Sequence, residues 1–136
     1  MRFIPLTENH LFSKAYAGRR AVTKTVAVYV LKDRHEKRLK RENPQKESIN
    51  RLGITASKKI GGAVERNRAK RVIREAYRLT DRELGIKRGF IIVIAARERS
   101  AVCKMQDVKR DLQYALAKLD MLEEKTGTEN PSGQED

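Results

Sequence analysis

The stretch RLGITASKKIGGAVERNRAKRVIREAYR, residues 51–78, joins a strand pattern, a double glycine and a helix pattern in one run. Residues 51–57 predict a strand, and Gly61 and Gly62 end it and open a helix from about Ala63 to Leu79. At about 100° per residue, the apolar side chains of this helix fall on one face. That face, predicted to pack on a sheet, consists of Ala69, Val72, Ile73, Ala76 and Tyr77.

The opposite face of this helix is basic over an arc of roughly 140°. It carries Arg66, Asn67, Lys70, Arg71, Arg74 and Arg78. Solvated helix faces usually mix charges of opposite sign at i,i+4, whereas Arg66, Lys70, Arg74 and Arg78 form a like-charged ladder that is mildly destabilising by itself. The pattern therefore favours phosphate binding over a merely solvated face. Lys58 and Lys59, with the free N–H groups at the helix start, predict a phosphate-binding corner.

The composition of the whole chain points to a polyanion as partner. The 136 residues include 31 basic and 18 acidic side chains, for a net charge of +13. Such an excess is typical of proteins that bind nucleic acid or an anionic membrane surface.

The longest apolar runs, Val26 to Leu31 and Phe90 to Ala96, are far shorter than the roughly 20 residues of a membrane span. No signal peptide is recognised, and the single Cys103 fits a reducing compartment, so we expect a cytoplasmic protein without a membrane partner.

The rest of the chain predicts one domain over residues 1–122. A helix is expected over 7–17 with Thr7 as its cap, then one strand or two over 21–31 with a break near Thr23 and Lys24. A charged connector at 32–50 is expected to be a flexible loop that is helical at most in part. A strand at 89–97 and a helix at 105–122, with Asp107 as a possible cap, complete the domain. Residues 123–136 predict a disordered acidic tail.

No catalytic or metal site is predicted in the protein itself. His10, His35 and Cys103 lack the spacing of zinc ligands, and the sequence contains no Walker loop or nucleophile elbow. The scattered carboxylates are expected to act as helix caps or to lie at the surface.

Three aromatic residues near the N-terminus allow two interpretations. Phe12 and Tyr16 are spaced i,i+4 on the first helix, and Tyr29 interrupts a valine-rich strand. Such a pair usually belongs to a core, but aromatic rings beside basic groups on a sheet also hold single-stranded nucleic acid by stacking. The residues alone leave both interpretations open.

Residues 51–78, with Arg66–Asn67–Arg68 at their centre, resemble the signature of the bacterial ribonuclease P protein component. HLFSKAYAGRR before the first strand and GFIIVIAAR after the basic helix are similar to the flanking segments of that family. The resemblance spans about residues 6–122. The connector at 32–50, which is longer than is usual in the family, and the acidic tail depart from the pattern.

The resemblance implies an α+β fold, described as an α/β sandwich: a four-stranded, mainly antiparallel sheet with three helices and a left-handed βαβ crossover. It implies a protein subunit that joins a catalytic RNA and promotes the magnesium-dependent removal of the 5′ leader from precursor tRNA. Mg²⁺ would be bound mainly by the RNA subunit and substrate, and no protein partner would be required. Two alternatives stay open: a ribosomal or general RNA-binding protein, and a self-sufficient nuclease, which would need clustered carboxylates that the sequence does not show.

Carried over residue by residue, the resemblance implies two sets of contacts. The leader would be bound by Phe12, Lys14, Tyr16 and Tyr29. The catalytic RNA would be bound by Lys58, Lys59, Arg66, Asn67, Arg68, Lys70, Arg71 and Arg74.

Overall fold

The computed structural model describes residues 3–42 and 49–123. Its strands are β1 (Phe3–Pro5), β2 (Arg19–Val22), β3 (Val26–Lys32), β4 (Asn50–Thr55) and β5 (Phe90–Ala96). Its helices are α1 (Asn9–Tyr16), α2 (Glu36–Glu42), α3 (Ala63–Leu84) and α4 (Met105–Lys118), with short 3-10 turns at Lys58–Ile60 and Glu98–Ala101. Residues 124–136, which include nearly all of the predicted acidic tail, lie outside the described residues.

The strands form one mixed sheet in the order β1-β4-β5-β3-β2. Strands β3 and β5, and β2 and β3, pair antiparallel, whereas β1 and β4, and β4 and β5, pair parallel. The α+β class is thus confirmed, while, among the described residues, the four-stranded, mainly antiparallel sheet is corrected to five strands with two parallel pairings, and the three helices are corrected to four because part of the charged connector is helical. Strand β1 was missed because three residues ending in proline carry no usable periodicity. The left-handed β4–α3–β5 crossover stays a prediction.

The larger core lies between one face of the sheet and helices α3 and α4. The valines of β3 face these helices, as do Ile92 and Ile94 of β5. On α3 the predicted apolar residues Ala69, Ile73, Ala76 and Tyr77 are buried. Helix α3 continues five residues beyond the predicted end, to Leu84. The reason is that Thr80 is fully buried and Asp81 accepts a hydrogen bond from the Ile86 N–H at 3.0 Å, so neither residue breaks the helix.

The other face of the sheet is covered by α1. Leu11 and Ala15 of this helix pack with Leu6 on Ile91 and Val93 of β5. The helix begins after Glu8 rather than at a Thr7 cap. The Glu8 carboxylate contacts Arg51 and makes no capping hydrogen bond to the helix N–H groups. The predicted break in the following strand region is confirmed, since Thr23 lies in the turn of the β2–β3 hairpin and its Oγ1 accepts the Val26 N–H.

The charged connector is partly helical. Helix α2 occupies Glu36–Glu42, and residues 43–48 lie outside the described residues.

A buried ion pair joins the two ends of the connector. Asp33 Oδ2 accepts a hydrogen bond from Arg51 Nε, and Asp33 Oδ1 accepts one from Arg51 Nη2, both at 2.8 Å. Glu8 accepts from Arg51 Nη1 at 3.2 Å. Burial alone would raise the pKa of the Asp33 carboxyl, but the Arg51 and His35 hydrogen bonds and the Arg51 charge outweigh it and lower that pKa.

We predict that Asp33→Asn lowers the free energy of unfolding by roughly 3 kcal/mol at pH 7, because it leaves Arg51 buried with only the peripheral Glu8 as partner. Since the folded-state pKa of Asp33 lies below the unfolded value, its stabilisation is complete above the unfolded pKa and disappears as pH falls through the folded one. The difference between variant and wild type should therefore shrink toward pH 3. Urea denaturation at both pH values measures it.

The matched control is Asp120→Asn, which weakens the exposed Lys87–Asp120 pair at 3.3 Å and should change stability by less than about 1 kcal/mol. An equal deficit of the Asp33→Asn protein at pH 7 and pH 3 would contradict the charge-based account.

Candidate nucleic-acid interface

Helix α3 presents its basic residues at two levels of exposure. Asn67, Arg71 and Arg74 are exposed, whereas Arg66 and Lys70 are half-buried at the edge of the apolar face. Arg66 Nε also donates to the carbonyl of Gly62 at 3.4 Å. The outermost surface of α3 is therefore formed by Asn67, Arg71 and Arg74, with Arg66 and Lys70 along one side.

The like-charged ladder does not run the whole length of the helix. Arg78 donates from Nε to Glu75 Oε1 at 3.1 Å and pairs with the same carboxylate through Nη2. The hydrogen bond from Arg78 lowers the pKa of the Glu75 carboxyl. The repulsion predicted among the four basic residues is thus relieved at the C-terminal end by an i,i+3 pair.

Arg68 does not share the outer face with Asn67. It lies half-buried on the side of α3 next to α4, and its guanidinium donates to the carbonyl oxygens of Ser100 and Cys103, each at 3.4 Å. The reason is helical geometry, because adjacent residues point about 100° apart. The structure therefore gives Arg68 a place in the protein fold, and its contact with RNA stays a prediction.

The backbone N–H groups before α3, around Gly61 and Gly62, are partly capped by side chains of the protein. The Gly62 N–H donates to Glu65 Oε1 at 3.0 Å, and the Lys59 N–H donates to Ser57 Oγ at 3.3 Å. A carboxylate at a helix start competes with any external anion for the same N–H groups. Lys58 and Lys59 are exposed, so this corner offers two ammonium groups rather than an open nest of N–H donors.

The three predicted rings lie together on the α1 side of the sheet. Tyr16 and Tyr29 meet edge to face, with centroids 4.8 Å apart and an interplanar angle of 88°. Phe12 lies over Gly53, where an added Cβ would come within 2.5 Å of the ring. Phe12 and Tyr29 are half-buried against the smaller core, whereas Tyr16 is 41% exposed. Phe12 and Tyr29 thus contribute to the smaller core and Tyr16 lies at the surface, while a role of the rings in binding a single strand stays a prediction.

Beyond the rings, the sheet surface is lined by small side chains. The strand register brings Thr55, Ala95, Ala27 and Val22 into one row across four strands, next to the row that contains Tyr29. Residues opposite one another on paired strands share a face of the sheet. Val22 is 52% exposed, Thr55 and Ala95 are half-buried, and Ala27 is buried. The rings and this row form a groove with an aromatic wall and a shallow floor, named here the aromatic groove.

Lys14 lies away from the aromatic groove. Its position on α1 is about 160° from that of Tyr16, and it lines a different cleft with His10, Leu31 and Asp33. The structure therefore brings together Phe12, Tyr16 and Tyr29 but separates Lys14 from them.

Several cations near the aromatic groove were missed from the sequence. A cleft of about 430 Å³ at the end of the row of small residues is lined by Lys24, Lys59, Arg97 and Arg99 together with Ser57, Ile60, Ala96 and Glu98. Arg20 lies opposite Tyr29 on β2 and is exposed. Lys24 and Arg97 are distant in sequence and meet only because β3 and β5 pair along their full length. Lys59, which precedes α3, joins this cleft to the basic helix.

Residues 3–42 and 49–123 contain neither a cluster of metal ligands nor a membrane-spanning helix. In that part of the chain, no group of three or more His, Cys, Asp or Glu side chains could hold a metal ion. None of its helices is both long and apolar enough to cross a membrane.

Comparison with known proteins places the sequence in a family. The profile of the Ribonuclease P family matches residues 2–120. The chain belongs to this family. It is 34% identical to the ribonuclease P protein component of Clostridioides difficile over 111 residues, which are 81% of this chain and 86% of that protein. The component from Dehalococcoides mccartyi is 43% identical over 79 residues, which are 58% of this chain and 62% of that relative. The match thus spans about three fifths of the Dehalococcoides protein.

Solved structures share the fold. The ribonuclease P protein of Staphylococcus aureus superposes with a TM-score of 0.66 at 24% identity, covering 86% of this chain and 95% of that one. The protein from Thermotoga maritima gives a TM-score of 0.62 at 24% identity, covering 80% of this chain and 91% of that one. At this level of identity the likeness concerns the fold alone.

We predict that Arg68→Ala lowers the free energy of unfolding by about 1 kcal/mol, because the carbonyl groups of Ser100 and Cys103 lose their donor. Arg71→Ala removes a cation of the same type from an exposed position three residues later and should leave stability within about 0.5 kcal/mol. Chemical denaturation of both variants in the absence of RNA makes the comparison. Equal stability of the two proteins would show that the Arg68 contacts contribute nothing to the fold.

Proposed function

We propose that this protein is the protein subunit of ribonuclease P. In this role it binds the catalytic RNA and the single-stranded 5′ leader of precursor tRNA and promotes removal of the leader by hydrolysis. The observation that carries the proposal is the aromatic groove, an open sheet face with three rings on one side and cations at its end. Family membership supports the assignment of the substrate.

The basic face of α3 is the proposed contact with the catalytic RNA. Asn67, Arg71 and Arg74 project from a rigid helix whose other face is buried, so their positions relative to one another are fixed before binding. Guanidinium groups pair with phosphate oxygens in a planar, two-pronged geometry, and an Asn amide both donates and accepts. Such a set suits a folded RNA surface that offers phosphates together with ribose hydroxyls or base edges.

The aromatic groove is the proposed path of the leader. A single strand can place bases against the exposed Tyr16 ring and lie over the small side chains of Thr55 and Ala95. Its phosphates would then reach the cations of the neighbouring cleft, above all Lys24, Arg97 and Arg99. Stacking combined with backbone contacts binds single strands with little dependence on sequence, as a subunit that meets many different leaders requires.

The chemistry of hydrolysis is assigned to the RNA. Mg²⁺, which activates water and stabilises the leaving oxygen in such reactions, would be held mainly by the RNA and the substrate. The side chains of this protein are proposed to bind and orient the two RNAs, and no proton transfer or metal ligation is assigned to them.

We predict that Tyr16→Ala weakens binding of precursor tRNA to the particle assembled with a bacterial ribonuclease P RNA by about five- to a hundred-fold. This is the loss expected for one base that stacks on an aromatic ring. Binding of mature tRNA, which has no leader, should be unchanged. Tyr29→Phe keeps the ring and should lose much less than Tyr29→Ala. The measurement is the affinity of both tRNAs, beside a denaturation curve for each variant.

Two outcomes would decide against the proposal. A folded Tyr16→Ala protein that discriminates precursor from mature tRNA as the wild type does would refute the leader path. Binding of the wild-type protein to unrelated RNAs as tight as to precursor tRNA, with no gain in cleavage at low magnesium, would favour a general RNA-binding protein.

We also predict a smaller salt dependence for a triple variant of α3. Each phosphate contact releases counterions and contributes slightly less than one unit to the slope of log affinity against log salt. Replacing Lys70, Arg71 and Arg74 by alanine should reduce this slope for the catalytic RNA by about one unit per residue in contact. A slope equal to that of the wild type would show that these residues are only solvated.

A further inference from the structure

Helix α2 carries a second set of cations, which lies apart from α3 and the aromatic groove. Its one apolar residue, Leu39, is half-buried, and at about 100° per residue Lys37 and Arg41 lie about 160° away on the outer side. Arg38 and Lys40 lie about 100° away, one on each side. All four cations are exposed, and none pairs with a carboxylate among the described side chains. Lys37 and Arg41 are a like-charged i,i+4 pair, which is mildly unfavourable without a ligand.

The position of α2 in the fold is fixed at its start. Asp33 Oδ1 accepts the His35 N–H at 2.9 Å, and the Leu39 N–H donates to the His35 carbonyl at 3.0 Å. The same Asp33 carboxylate is held by Arg51, so the ion pair that closes the connector also anchors the turn that leads into α2. The cations of α2 are thus attached to the rigid body of the domain.

More cations lie between α1 and the start of α2. A cleft of about 340 Å³ is lined there by Lys14, Lys32 and Arg34, beside His10 and His35. The one carboxylate of its lining, Asp33, is neutralised by Arg51. We call Lys14, Arg34, Lys37, Arg38, Lys40 and Arg41 the α2 surface. It lies where β3 ends and β4 begins, about 20 Å along β4 from Lys58 and Lys59.

We propose that the α2 surface binds the phosphate backbone of double-helical RNA and is a binding site separate from the aromatic groove and from α3. Helix α2 has no aromatic residue on which an unpaired base could stack, which disfavours a single strand. It also has no exposed apolar face, which disfavours a membrane surface. A rigid row of cations suits the regularly spaced phosphates of a duplex, which proteins recognise mostly by shape.

The inference rests on the proposed function in that RNA is the ligand, and it deepens that function by adding a partner surface outside the leader path. It also assigns a role to the connector. The Asp33–Arg51 ion pair holds the two ends of the connector together. Helix α2, which lies between them, is therefore not needed for the core and can serve as a binding surface.

The test uses the full-length protein with two probes, a blunt-ended RNA duplex and a single-stranded RNA of the same length. The variant is Lys37→Gln/Lys40→Gln/Arg41→Gln. The matched control is Lys104→Gln/Lys118→Gln/Arg110→Gln, which removes the same charges from exposed positions on and next to α4. For the duplex, the α2 variant should reduce the slope of log affinity against log salt by about two units relative to the control. For the single strand, variant and control should behave alike.

A second variant tests whether the loss of duplex binding comes from the cations of α2 rather than from a local structural change caused by the three substitutions. Replacing Glu36–Glu42 by a Gly/Ser linker of equal length also removes Arg38 and should give at least as large a loss on the duplex, while unfolding stays cooperative. The proposal is overturned if the wild type does not bind the duplex, if the α2 variant equals the control, or if duplex and single strand are affected equally. None of these results depends on a leader, so a failure here is distinguishable from a failure of the leader path.

Discussion

The shortness of α1 is the constraint on which the rest of the interface depends. Eight helical residues span about 12 Å, whereas five strands about 4.8 Å apart span about 19 Å, so this helix cannot cover its face of the sheet. Glu8 and Arg51 hold its beginning, and Gly18 allows a close approach at its end, because an added Cβ would lie 2.6 Å from the Val30 carbonyl oxygen. The uncovered part of the face, lined by small residues, is what remains for a ligand.

The carboxylates of the domain are used mainly within the protein. Asp33 pairs with buried Arg51, Glu65 caps α3, Glu75 pairs with Arg78, and Asp81 pairs with Arg88. Three of these four contacts pair a carboxylate with an arginine, and many of the remaining cations of the domain lie on the outer surface. A polyanion is therefore attracted to three regions with different geometry: a helix face, the end of a groove, and the α2 surface.

The sequence predicted the elements whose patterns are long and regular. The apolar face of α3 and the uninterrupted apolar strand β5 were recognised because each buries a full face against the same core. Short or isolated features were not recognised. Strand β1 has three residues, and buried Asn50 joins β4 to Tyr77 of α3 and to Phe90 of β5 through hydrogen bonds that no local pattern signals. For the same reason the cleft cations Lys24 and Arg97 became neighbours only through strand pairing.

The motif Arg66–Asn67–Arg68 shows why adjacency in sequence is not adjacency in a site. On a helix the three side chains point in three directions: Arg66 toward Gly62, Asn67 outward, and Arg68 toward the segment before α4. Because the Arg68 guanidinium is planar with five donors, it reaches two carbonyl groups at once, which a lysine ammonium on a flexible stem does less well. Together with the buried apolar face of α3, these contacts hold the helix in the orientation in which Asn67 and Arg71 project outward. The outer face of α3 is thus supported by an arginine that does not belong to that face.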